Sequence, residues 1–371
     1  MGIKKENRGI LSKSLSNGKG VDRRIMTELD ANKKAEELLK GAYDLHVHSS
    51  PSVFPRELDG FQLIREADAA GMAGVMLKSH YESTAVRAEL INRYSGCKAK
   101  AYGGLCLNCP AGGLNVYAVK NALRAGAKIV WMPTRDAKNS LVFGNMEGDF
   151  FDRRGITILE QDGTLKECVY DIMDAIKEKD AFLATGHISP EESLILCREG
   201  RKRGVNMILT HPEFPRTRIG RDDQAELAKL GVVIEKNWFN LAQKSVMPEE
   251  MAETIRTVGS GHGYLATDRE RGADTRFGIE TVYRRDADLW DCGSTDTGHG
   301  PEGTGRSGMQ INLYKCTFFR RRILHYEERQ SIGRGISSSD SAQHDSVRRR
   351  TGRWYHTGSG GRNTGGSREH R

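Results

Sequence analysis

No run in this 371-residue chain approaches the roughly 20 consecutive apolar residues that cross a bilayer, so no membrane span is expected. Cysteine is scarce and irregular, with seven residues at positions 97, 106, 109, 168, 197, 292 and 316. An odd number without regular spacing argues against a disulfide framework and for a reducing compartment. Cys106 and Cys109 form one CxxC without a second pair, which is poor support for structural zinc. The glycine fingerprint of a dinucleotide fold is also missing. Gly103-Gly104 and Gly112-Gly113 lack its spacing and its acidic ribose partner. The opening Met1-Gly2-Ile3-Lys4-Lys5-Glu6 has neither an apolar signal core nor the Ser/Thr of a myristoylation signal, so a cytoplasmic protein is expected.

Lysine, in turn, almost disappears from residues 269–371, which hold 18 arginines and one lysine against 13 acidic residues. The first 268 residues carry 38 basic and 36 acidic side chains, so most of the net charge of +8 belongs to the tail. The nearly neutral part gives no nucleic-acid footprint.

What is present is alternation. Residues 1–25 read as a polar arm, and a helix is expected from Thr27 to Lys40, ended by Gly41. Strands are then expected at Tyr43–Val47, Gly74–Lys78, Ala101–Leu107, Lys128–Met132, Ala181–Thr185, Val205–Thr210, Val232–Glu235 and Tyr264–Thr267. Helices fill the gaps: Asp59–Ala70, Ser83–Tyr94, Asn115–Ala125, Leu165–Lys179, one opening at Pro190-Glu191-Glu192, Asp222–Leu230 and Pro248–Val258. Thr134 to Gly163 reads as one long irregular connection, of the kind often kept for function. Eight strands separated by seven helices imply parallel strands, right-handed crossovers and an α/β fold of the (β/α)8 barrel type.

In such barrels function collects at the carboxyl ends of the strands. Those ends carry His46 and His48, then Lys78 and His80, Asn108, Arg135 with Asp136, His187, His211, Glu235 with Asn237, and Asp268. Before the tail the chain has six histidines, and five of them fall in this set. Side chains on a strand alternate, so His46 and His48 share one face with Asp44 behind them, and a pair of imidazoles one pleat apart can grip one metal ion.

Asp44-Leu45-His46-Val47-His48, Thr185-Gly186-His187, Thr210-His211-Pro212 and Ala266-Thr267-Asp268 together resemble the amidohydrolase superfamily of metal-dependent hydrolases. The resemblance covers about residues 41–268. Trp131-Met132-Pro133-Thr134, Thr185-Gly186-His187-Ile188-Ser189-Pro190 and His211-Pro212-Glu213-Phe214-Pro215 are more specifically similar to an uncharacterised subgroup of it. The resemblance implies that His46, His48, His187 and Asp268 hold a divalent ion, expected to be zinc, and that His211 binds a second ion or orients the attacking water. Asp268 is then the proton acceptor and donor for that water, and His211 also a stabiliser of developing negative charge. Binuclear relatives bring a carboxylated Lys or a Glu from strand four. Lys128–Pro133 has none at its end, so one ion per chain is expected.

Lys78, His80, Asn108, Arg135, Arg216, Arg218 and Glu235 complete the expected site as substrate-facing groups, with Glu235 either a partner of a histidine or an ordinary rim carboxylate. The expected partner is a small molecule with an amide, cyclic amide, ester or lactone bond, and self-association of the chain is left open. Asp44–Ser50 followed by Gly71–His80 is also similar to the polymerase-and-histidinol-phosphatase type of phosphoesterase. Lys78-Ser79-His80, however, has Ser in place of that family's Asp, and Gly103-Gly104-Leu105 stands where its strand-three Glu belongs.

After Asp268 the apolar periodicity fails, just where an eighth helix is due. The cluster Ile311–Leu324 is interrupted by Lys315 and Arg320–Arg322. Two accounts are open: a basic tail that binds nucleic acid, or a translation that has left the reading frame near residue 269 and yields an inactive product. The expected organisation is an arm and leading helix over 1–40, a barrel over 41–268 and a tail over 269–371.

Overall fold

Runs of alternating side chains put one face of every strand against helices and the other against the barrel axis. The structure, a computed structural model, describes residues 37–144 and 154–268. Its strands are β1 (Tyr43–His48), β2 (Gly74–Lys78), β3 (Lys100–Cys106), β4 (Ile129–Trp131), β5 (Phe182–Ala184), β6 (Asn206–Leu209), β7 (Val233–Asn237) and β8 (Gly263–Ala266). They form one sheet in the order of the sequence, and each neighbouring pair is parallel.

The seam between β8 and β1 closes through a few specific bonds. Asp268 N donates to His46 O at 2.9 Å. The Asp44 carboxylate accepts from Thr267 N at 3.1 Å and from Thr267 Oγ1 at 2.6 Å. The result is a (β/α)8 barrel. Burial pushes the Asp44 carboxyl up to about 6, against the pull of the Thr267 hydrogen bonds.

Outward residues such as Leu183, Met207 and Leu209 pack with Val169, Ile172 and Leu196 in one apolar layer, and Val47, Val75 and Leu77 pack with Ile64 and Ile91 in another. Trp131 lies on the inner face and fills the barrel axis. Gly104 gives it room, since a Cβ there would stand 2.4 Å from the indole. Helices begin where the sequence offers caps. Asp59 and Ser189 form capping boxes with Gln62 and Glu192, at the starts of Gly60–Ala69 and Pro190–Lys202.

Three local expectations change. The helix expected from Ser83 starts at Ala85, because the Thr84 hydroxyl is spent on Leu77 O (2.7 Å) and accepts from Gly104 N (2.8 Å). The connection expected to be irregular from Thr134 contains a helix, Lys138–Phe143, tied by the bridge Ala137 to Ile156. A short helix, Trp238–Ala242, follows β7 directly. The arm 1–25, most of the expected helix Thr27–Lys40, the cluster Ile311–Leu324 and the whole of 269–371 lie outside the described residues. Among the described residues no helix is long and apolar enough to cross a membrane.

Candidate metal centre

β1 aims Asp44, His46 and His48 at the axis, and β8 ends so that Asp268 arrives beside them. One ligand atom each from His46, His48 and Asp268 lies within 4.8 Å of the others, and all three residues are buried. Asp268 Oδ1 is 2.9 Å from His46 Nε2 and 3.5 Å from His48 Nε2. Its second oxygen accepts from Asn237 Nδ2 at 2.9 Å, which fixes the carboxylate plane. Burial opposes ionisation of Asp268, but His46 overrides it and holds the carboxyl well below its usual range.

His46 is oriented from behind. Its Nδ1 donates to Glu235 Oε1 at 2.8 Å, and Tyr264 Oη donates to Glu235 Oε2 at 2.6 Å. Burial works against a charged His46 ring, but Asp268 and Glu235 outweigh it and raise the ring to about 9. An imidazole locked by a carboxylate on one nitrogen presents the other as a ligand of fixed direction. Two imidazoles and a carboxylate are the donor set that zinc takes in open, reactive sites.

The other strand-end histidines gather around this group. The His211 ring centroid is 5.9 Å from that of His46 and 5.0 Å from that of His187, and His80 stands 4.6 Å from His48. His187 Nδ1 is buried and has no hydrogen-bond partner among the described residues. Burial, with His211 next to it, drives His187 well below its usual value, and burial holds His211 at about 4, so both rings are neutral. Thr217 Oγ1 donates to His211 O (3.1 Å) and lies 3.3 Å from His211 Nδ1, which leaves Nε2 to face the site. Neutral rings with free lone pairs suit a cation.

Two of the site residues hold uncommon backbone. His211 has φ of 26° and Asp268 φ of 48°, in the left-handed region that non-glycine residues rarely enter. Each costs on the order of 1–3 kcal/mol and persists because loop bonds such as Phe214 N to His211 O (3.0 Å) over-determine it.

The remaining expected residues divide. Lys78 is brought fully in, its Nζ 2.8 Å from His46 Nε2 and 5.4 Å from the Trp131 ring centre. Asn108 is at the rim, but its amide is spent. Oδ1 accepts from Thr134 N and Asp136 N, while Nδ2 donates to His80 O and Thr134 Oγ1, leaving it to shape the loops rather than meet a substrate. Glu235 is a partner of His46 and not a rim carboxylate. Arg216 is buried between the faces of Phe143 and Phe214, and Arg135 lies over Phe54. Arg218 is half exposed and donates to Ser245 O at 2.6 Å, outside this cluster. Cys106 and Cys109 do not converge on a ligand group among the described residues.

The Tyr264 hydroxyl and the Thr267–Asp44 bonds were not singled out from sequence. Tyr264 sits four residues before Asp268, and its hydroxyl is the only signal that could have marked it as a carboxylate partner.

Residues 41–235 match the profile of a family described as a family of unknown function, DUF6282. No curated protein matches the chain. In structure the chain is similar to an amidohydrolase from Pseudomonas aeruginosa, at 14% identity and TM-score 0.43, over 76% of this chain and 89% of that one. It is also similar to the probable dipeptidase PvdM from the same organism, at 11% identity and TM-score 0.47, over 70% of this chain and 92% of that one. A putative 2-pyrone-4,6-dicarboxylic acid hydrolase from Pseudomonas putida is similar at 12% identity and TM-score 0.43, over 67% of this chain and 90% of that one.

Proposed function

The chain belongs to DUF6282, a family of unknown function, and for it we propose a metal-dependent hydrolase acting on a small amide, cyclic amide, ester or lactone. The observation that carries the reading is the convergence of His46, His48 and Asp268 at the carboxyl ends of β1 and β8, within 4.8 Å and all buried. These three would hold one divalent ion, zinc by the donor set, while His187, expected as a fourth ligand, lies outside the group that meets within 4.8 Å. A divalent ion bound there supplies Lewis acidity, polarising a scissile carbonyl and lowering the pKa of water toward about 7.

The chain's own residues do the rest. Asp268, kept ionised and fixed by Asn237, takes the proton of the attacking water and returns it to the leaving group. His211 offers its Nε2 to orient that water. Glu235 and Tyr264 hold His46 in register. The barrel wall, Trp131 included, keeps bulk water from the reacting bond.

The full chain loaded with zinc, assayed against a panel of amides, lactones, esters and phosphoesters, tests this. Turnover is expected on a C–N or C–O acyl bond, reduced about a hundredfold or more in Asp268→Asn. Turnover confined to phosphoesters, with several ions per chain, would overturn it in favour of the phosphoesterase reading.

A further inference from the structure

Two lysines are buried in the described barrel, each 2% exposed, and they are provided for very differently. Lys236 has the Glu213 carboxylate and Gln224 Oε1 as acceptors. Lys78 has neither. On β2 it shares the inner face with Met76, because Val75 and Leu77 turn to the apolar layer beneath the helices. Its one hydrogen bond goes to His46 Nε2, and among the described residues it forms no ion pair. Asp268 is near enough to feel the amine but is already engaged by His46 and Asn237.

His46 has no second nitrogen to offer, since Nδ1 is committed to Glu235. The atom that Lys78 holds is therefore the atom an ion must take. The two exclude each other: an ion on Nε2 would stand where Lys78 Nζ, 2.8 Å from that nitrogen, now reaches, and two cations repel at that distance. With His46 given to an ion, Lys78 is left with three N–H groups, no acceptor and almost no access to water. A buried charge in that condition is costly until an anion meets it.

We propose that Lys78 binds an oxyanionic group of the substrate, a carboxylate or a phosphate, and does so only after a divalent ion has displaced it from His46. The proposal rests on the metal-dependent reading above and narrows its substrate to acyl compounds that carry such a group beside the scissile bond. Binding is then ordered, ion first and anionic substrate second, because one nitrogen serves both cations in turn.

Calorimetric titration of acetate and of inorganic phosphate into the full chain, with and without one equivalent of zinc, tests this without a turnover assay. The zinc-loaded protein is expected to bind at least one of the two anions, and the metal-free protein to bind it at least tenfold more weakly. Lys78→Met should keep zinc, as tightly or more tightly because its competitor is gone, and lose at least tenfold in anion affinity. Lys78→Arg should recover part of that loss. Equal anion affinity in zinc-loaded wild type and Lys78→Met, or equal affinity with and without zinc in the wild type, overturns the proposal while leaving the metal reading intact. No zinc binding in the wild type overturns both. The comparison within the wild type stands even if a variant fails to fold.

Discussion

Glu235 Oε1 lies 2.8 Å from His46 Nδ1, a bond from the middle of β7 to β1 that passes behind the ligand group. It fixes which nitrogen of His46 faces the site. Replacing Glu235 by Ala removes that orientation without touching a ligand atom. Zinc affinity measured by calorimetry is expected to fall by about 10–100-fold with the barrel still folded by circular dichroism. Unchanged affinity would show that the bond is incidental.

Gly186 sits one residue before His187 with φ of 61°, and a Cβ there would stand 2.3 Å from Met132 O and 2.9 Å from Pro133 O. Both contacts are backbone, so nothing swings aside. Gly186→Ala is expected to cost at least about 1 kcal/mol in urea unfolding. It should also weaken metal binding, because His187 N donates to Pro133 O through the same turn (2.9 Å). A variant as stable as the wild type would contradict the turn described for Thr185-Gly186-His187.

Lys236 lies between Glu235 and Asn237 but points outward, onto Glu213 of the loop that carries His211. Burial lowers the Lys236 pKa, and Glu213 partly restores it. Lys236→Met strands a carboxylate that is itself buried and should cost about 3–5 kcal/mol, while adding Glu213→Gln should return most of that loss. The readout is the denaturation midpoint of the three variants. Additive losses in the double variant would mean the two side chains do not act as a pair.

Much of the architecture was legible because alternation is a one-dimensional signal. Val232–Glu235 or Gly74–Lys78 announces a buried strand by composition, and Gly or Pro marks its ends. The strand-end histidines were legible for the same reason, since the barrel maps position in the repeat onto position at its mouth. What was hidden depends on contacts between distant strands. Nothing local tells Glu235 that its oxygen meets a ring 189 residues away, or that Asn108 spends its amide on His80 O and the Thr134 turn. Arg218 looks like a site residue in sequence because it is seven positions from His211. The chain has by then turned over the rim, and its guanidinium finds Ser245 O instead. Short helices such as Trp238–Ala242 escape because five residues carry no period to read.

The proposed ligand group of His46, His48 and Asp268 would hold one divalent ion in this chain. Elemental analysis of the full-length protein, purified and dialysed against zinc, measures it directly. About one zinc per chain is expected, lost both in His46→Ala and in Asp268→Ala. Protein of high purity and intact far-ultraviolet circular dichroism that retains no metal, or that binds it equally after both substitutions, would contradict it.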